Sequence, residues 1–202
     1  VVACNTASAT ALRALAQEFA PLPVFGVVEP GALAACEVAD SSGVTVLATE
    51  STIAGGAYQR ALLHQRSAMR VLGRPCPLWV TLAEQGHDTS ALTDTILLDG
   101  VRGLVMSEQT PDAPSTLVLG CTHFPVFRTR LQQLLGSQVQ VIDSAQTTAG
   151  SVASALQSEG LLSDRGGNTQ FLATDGVERF QRVGATFLAE SISDCLLYTS
   201  PS

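Results

Sequence analysis

The chain has 202 residues, 46% of them hydrophobic and 14% charged, enough apolar material for a packed core and too much for a disordered majority. Its formal net charge of -7 argues against a nucleic-acid partner, which would demand a basic surface. All 11 Lys+Arg positions are arginine, and that absence of lysine excludes a Schiff base to substrate or pyridoxal phosphate and a Walker-A phosphate site.

In chain order, short β-branched runs alternate with helical patterns. A strand is expected at 1–3, a helix at 7–19, a strand at 24–28 and a helix at 29–38. A strand at 44–48 and a helix at 53–63 follow, with Pro/Gly/Ser punctuation near 73–77. A helix at 91–102 leads through a loop near 110–114 to a strand at 117–119 and a helix at 124–135. The rest reads as a strand at 139–142, a helix at 147–159, a loop near 163–168, a strand at 170–173 and a helix at 177–188 after the turn Thr174-Asp175-Gly176. The final stretch, 195–202, fits neither the preceding helical pattern nor a cap and reads either as a non-native tail or as a frayed terminus. This alternation predicts an α/β fold with a largely parallel sheet. No apolar run is long enough to cross a bilayer, and no basic-then-apolar segment opens the chain, so neither membrane nor export is expected.

An internal echo carries the functional information. Val1-Val2-Ala3-Cys4-Asn5-Thr6 is a strand ending in cysteine, then threonine and a helix, and Leu117-Val118-Leu119-Gly120-Cys121-Thr122 repeats the form. Each helix leads to a further strand. Two β-Cys-α-β units predict two similar half-domains that each present a thiol at a strand's carboxyl end, where open α/β sheets place ligands. A cysteine there meets the positive end of the helix dipole, which favours thiolate. Two such groups facing one substrate suit removal of a proton from one face of a carbon and its return to the other. Asn5, Thr6 and Thr122 are short donors at helix starts, suited to a carboxylate, and His123 can hydrogen-bond a carboxylate, assist Cys121 or hold the loop. No CxxC pair occurs among the five cysteines, so a zinc ribbon or thioredoxin-like site is not expected. A zinc site from Cys4, Cys121 and His123 is the metal alternative.

Val1 to Ser8 and Leu119 to Pro125 resemble the two cysteine motifs of the aspartate/glutamate racemase family. Further similarity lies at Val46 to Thr52, Cys76-Pro77-Leu78 with Leu82-Ala83-Glu84, Val141 to Ser144 and Thr174 to Phe180, covering roughly 1–193 in the family's order. The resemblance implies a cofactor-independent racemase that interconverts L- and D-glutamate and supplies D-glutamate for peptidoglycan, in the cytoplasm. Carried over by position, Cys4 would take the α-proton of D-glutamate and Cys121 that of L-glutamate. Asn5, Thr6, Thr122 and His123 would line the substrate pocket, with Thr49 in contact and Glu84 near Cys121. The resemblance further implies two pseudo-symmetric half-domains with the active site in the cleft between them, a discontinuous first domain from 1–23 plus 139–202 and a second from 24–138. Monomer and homodimer both stay open.

The family carries about 70 residues, half a typical domain, before the first cysteine motif. They include an Asp-Ser motif that helps bind substrate, and nothing corresponding precedes Val1, so the first domain is expected to be incomplete and the 202 residues inactive or nearly so alone. Asp143-Ser144 is expected to start a helix rather than to replace that motif. Cys36, Cys76 and Cys195 read as buried or incidental, His64 and His87 as solvated, and Thr49 and Thr52 double as caps for the helix near Ile53. The enzymatic alternative is an aspartate racemase with a shorter pocket, and the non-enzymatic one is a binding module on a degenerate racemase fold.

Overall fold

The computed structural model describes residues 1–86 and 90–199; His87 lies outside them. The elements run α1 (Asn5–Glu18), α2 (Val28–Val38), β1 (Val44–Ala48), α3 (Glu50–Gly55), α4 (Ala57–Gln65), β2 (Val71–Pro75), α5 (Pro77–Glu84) and α6 (Ala91–Val101). Then come β3 (Thr116–Gly120), a 3-10 turn (Phe124–Phe127), α7 (Arg128–Leu135), β4 (Gln140–Asp143), α8 (Ser144–Ser158), β5 (Phe171–Ala173), α9 (Val177–Leu188) and β6 (Cys195–Leu197).

Four strands form a parallel sheet in the order β2-β1-β3-β4, which establishes the expected α/β class. The two central strands, Val-Thr-Val-Leu-Ala and Thr-Leu-Val-Leu-Gly, are buried at every residue, as parallel strands covered on both faces must be. Alternation divides their side chains between two cores. Leu47, Leu117 and Leu119 meet Trp79, Leu97, Phe124, Phe127 and Leu131 on one face. Val44, Val46 and Val118 meet Val28, Ala32, Ala35, Tyr58 and Leu62 on the other. Trp79 anchors the first core, its ring 5.1 Å from Phe124 and 5.9 Å edge-on from Phe127.

Pairing of Ala48 with Gly120 puts the two strand ends level, so Thr49 and Cys121 emerge side by side at the carboxyl edge of the sheet. Beside this edge, the expected strands at 1–3 and 24–28 meet in one parallel bridge, Val2 with Gly26, rather than in a ladder. Val1 and Ala3 are exposed, and α2 begins already at Val28, which leaves little extended chain to pair. The fit is close at Gly26, where a Cβ would stand 2.5 Å from a terminal methyl of Leu12 on α1 and that side chain would have to shift.

Several elements differ from expectation for local reasons. The helix expected at 53–63 is two helices, α3 and α4, broken at Gly56 with φ +64. β2 forms where a Gly/Pro loop was expected; as an edge strand it tolerates Pro75 in its last position. The short α5, with Pro77 in its first turn, was not anticipated. The stretch from Phe124 opens as a 3-10 turn before α7. β4, in the range expected to resume the first domain at 139, pairs with β3, so the four-stranded sheet reaches Asp143. Cys195–Leu197, read from sequence as part of a patternless tail, pairs in parallel with β5 as a second, two-stranded sheet. Among the described residues no helix is long and apolar enough to cross a membrane.

Candidate active site

The four-stranded sheet and α1 bring the two cysteine turns together. Thr122 Oγ1 donates to the carbonyl of Ala3 at 3.4 Å, joining the residue after one cysteine to the residue before the other across 119 positions. The two thiols are also close enough that charge on Cys4 opposes ionisation of Cys121. Cys4 is exposed and is the N-cap of α1, with φ -85 and ψ 125 and no side-chain capping bond. The backbone N–H groups that begin α1 lack intrahelical partners and point toward this turn.

Cys121 is 5% exposed, directly after β3. The sequence led us to expect a dipole-favoured thiolate at both positions. At Cys121 burial outweighs that effect and pushes the thiol up, against the lowering action of the His123 backbone N–H. The element that follows is a four-residue 3-10 turn that runs on into α7.

A line of side chains backs this buried thiol. His123 Nδ1 lies 3.7 Å from Cys121 Sγ, and Nε2 lies 3.1 Å from Glu84 Oε1 on α5. Because a carboxylate only accepts, this contact assigns the ring proton to Nε2 and leaves the Nδ1 lone pair toward sulfur. The other Glu84 oxygen accepts from Arg179 of α9, and His123 packs edge-on against Phe187 of the same helix at 6.0 Å. Behind Glu84 opens a cleft of about 440 Å³ lined by Asp175, Gly176, Arg179 and Phe180.

Thr6 and Thr49 also converge. Thr6 Oγ1 lies 3.0 Å from both Thr49 Oγ1 and Thr52 Oγ1, and Thr49 caps α3 by accepting from the Thr52 backbone N–H at 3.3 Å. Asn5 is placed differently from the pocket-lining side chain we expected. It is 2% exposed, its Oδ1 accepts from Tyr58 OH at 2.8 Å, and its Nδ2 donates to Ser144 Oγ at 3.3 Å. What Asn5 can offer a ligand is its backbone N–H, since its amide is spent inside the protein. Asp143 caps α8, accepting from Gln146 N at 2.7 Å, as its sequence position implied.

Of the other cysteines, Cys76 is buried and its thiol is pushed up to about 12 by desolvation; Cys36 is raised more modestly by the same cause. His64 is exposed in the last turn of α4. Among the described residues no group of three or more His, Cys, Asp and Glu is arranged to hold a metal ion. Arg179, Tyr58 and Ser144 are the polar side chains of the site that sequence reasoning did not assign. A match around Arg179 was visible, but nothing local in the chain distinguished Tyr58.

A pair of thiols carried on adjoining strand-end turns, with short donors around them, is an arrangement suited to moving a proton between the two faces of one carbon. The family model for Asp/Glu/hydantoin racemases matches residues 1–152, and the chain belongs to this family. The glutamate racemase of Geobacter metallireducens is 41% identical over 199 residues, covering 96% of this chain and 70% of the relative. That of Aquifex aeolicus is 37% identical over 195 residues, covering 95% and 70%. Among solved structures, glutamate racemase isoform RacE1 from Bacillus anthracis superposes with a TM-score of 0.86 at 31% identity, over 98% of this chain and 72% of that one. Glutamate racemase from Francisella tularensis, in complex with D-glutamate, gives 0.83 at 25% identity, over 97% and 71%.

Proposed function

We propose that this racemase acts on glutamate, by proton transfer between Cys4 and Cys121 without a cofactor. The observation that carries the reading is the convergence of both cysteine turns, tied by the Thr122–Ala3 hydrogen bond, with a histidine and a carboxylate behind the buried thiol. Glutamate is the substrate named for the relatives described above, one of them solved with D-glutamate.

In the D to L direction the Cys4 thiolate removes the α-proton, leaving a carbanion delocalised into the α-carboxyl group, and the Cys121 thiol delivers its proton to the opposite face. Cys4 ends as thiol and Cys121 as thiolate, and proton exchange with water resets the pair. In the L to D direction the roles reverse. The raised acidity threshold of Cys121 keeps its proton available for delivery. For the reverse step His123 Nδ1 accepts that proton, while Glu84 stabilises the imidazolium and fixes its tautomer. The α-carboxylate is held by the free N–H groups opening α1 and by the hydroxyls of Thr6, Thr49 and Thr122. The resulting D-glutamate would enter peptidoglycan synthesis in the cytoplasm.

The test is loss of the α-proton signal of glutamate in deuterium oxide, followed by proton NMR at equimolar protein and substrate so that slow turnover still registers. Exchange with L- and D-glutamate and much less with aspartate is expected. Exchange confined to aspartate would move the reading to an aspartate racemase. None with either amino acid, from protein with a cooperative melting transition, would leave a binding module.

A further inference from the structure

Tyr58 is a fully buried tyrosine that the proton-transfer chemistry does not use, and it touches both cysteine turns. It is the second residue of α4 and is 0% exposed. Its hydroxyl donates to Oδ1 of Asn5, the residue after Cys4, at 2.8 Å. Its ring lies against Gly120, the residue before Cys121, so closely that a Cβ there would stand 2.8 Å from ring carbon Cε2. The other ring edge faces Gly31 of α2, where a Cβ would stand 3.2 Å from the hydroxyl oxygen.

The contact continues through Asn5. Its Nδ2 donates to Ser144 Oγ, and Ser144 Oγ donates to the carbonyl of Leu119 at 3.3 Å, on the strand that Cys121 directly follows. One polar line thus runs from α4 through the Cys4 turn and the start of α8 to β3. All three side chains are buried, so each lost partner leaves a group that water cannot satisfy. Burial also raises the tyrosine's ionisation point, so it remains a hydrogen donor at any working pH.

We propose that Tyr58 is a positioning residue that fixes the separation of Cys4 and Cys121, its ring setting the Cys121 turn and its hydroxyl the Cys4 turn. This rests on the two-thiol reading for its consequence, not for its geometry. Catalysis between two opposed groups is sensitive to placement at the level of an ångström, which can cost about 100-fold in rate.

The experiment uses Tyr58→Phe, which keeps the ring against Gly120 and Gly31 and removes the hydroxyl, in a Cys36→Ser/Cys195→Ser background. Cys4 and Cys121 are bridged with a graded series of bis-thiosulfonate linkers, and yield against linker length is read by mass spectrometry and peptide mapping. The parent should favour one length, and Tyr58→Phe should spread the yield over neighbouring lengths, cutting the preference at least threefold. Ser144→Ala, which removes the next contact, should do the same to a lesser degree, and stands in if Tyr58→Phe does not fold. Val101→Ala, a truncation in the other core, should lower Tm without changing the length preference. An unchanged preference in both polar variants overturns the proposal, and so does equal spreading in Val101→Ala, which would mean general loosening. Where glutamate exchange is measurable, Tyr58→Phe should lower kcat about tenfold or more with KM within about threefold; an unchanged kcat also overturns it. Absence of exchange in the parent would count against the glutamate reading alone, because linker reach is measured without turnover.

Discussion

The two cysteine turns read as copies in the sequence, but the protein builds them from different materials. Cys4 is exposed, caps a 14-residue helix and follows a segment held by one parallel bridge. Cys121 is buried, follows a central strand paired on both sides, and has His123, Glu84 and Arg179 ranked behind it. The difference teaches that one strand-to-helix motif can serve two thiols by opposite means. At the Cys4 turn a full helix supplies free N–H groups; at the Cys121 turn desolvation favours the protonated thiol, and in the proposed mechanism a histidine–carboxylate pair takes that proton away.

The most severe way to break the comparison is to remove either thiol. Cys4→Ser and Cys121→Ser should each lower racemisation of glutamate by roughly 10²–10⁴-fold, because a serine hydroxyl is a far weaker acid than a thiol and does not ionise at working pH, measured by circular dichroism of the amino acid. Asymmetry comes next. Glu84→Gln removes the charge behind His123 and should lower kcat in the L to D direction about 10- to 100-fold. In the D to L direction, where Cys121 only gives up a proton it already holds, kcat should change less, with the KM values moving so that kcat/KM stays equal in the two directions, as interconversion of mirror images requires. Equal losses of kcat in both directions would mean that the two turns are not specialised.

Stability offers a third, smaller effect. Cys76 and Cys121 ionise at higher pH in the folded protein than in the unfolded chain. The unfolded state therefore loses these protons first, so stability is fully present below about pH 8.5, the free-cysteine value, and falls as pH rises toward the folded values. Each such thiol contributes at most about 1.4 kcal/mol per pH unit across that window. Tm measured from pH 7 to 10 should decline, and Cys76→Ala should be less stable at pH 7 yet show a shallower decline. Smallest of all, Arg179→Gln should change either rate by no more than about fivefold, since this ion pair has a largely exposed arginine and is worth about 1 kcal/mol or less.

What was legible in the sequence follows from how local its cause is. β1 and β3 were readable because continuous apolar runs between turn signals suit doubly covered strands, and Cys121, directly after β3, came with them. The Asp143 cap was readable because a cap is made within four residues. β2 was missed because Gly73 and Pro75 look like punctuation, and only its place at the sheet edge makes them acceptable. The burial of the Asn5 side chain was not legible because its two partners lie 53 and 139 residues away. The dipole argument failed at Cys121 for a related reason. It weighed the turn's sequence, whereas the thiol is buried by the core it joins, with Leu119, Phe124 and Phe127.

The central claim is that each thiol serves one face of the α-carbon, and it is tested most directly by exchange without inversion in the single-cysteine variants. Each enantiomer of glutamate is incubated separately in deuterium oxide, with proton NMR following the α-proton and chiral chromatography following configuration. With Cys4 as the remaining thiol, in Cys121→Ser, D-glutamate should gain deuterium with its configuration kept, while L-glutamate stays unlabelled; Cys4→Ser should show the mirror result. Labelling of both enantiomers by one single-thiol variant, or undiminished inversion in either, would contradict the account.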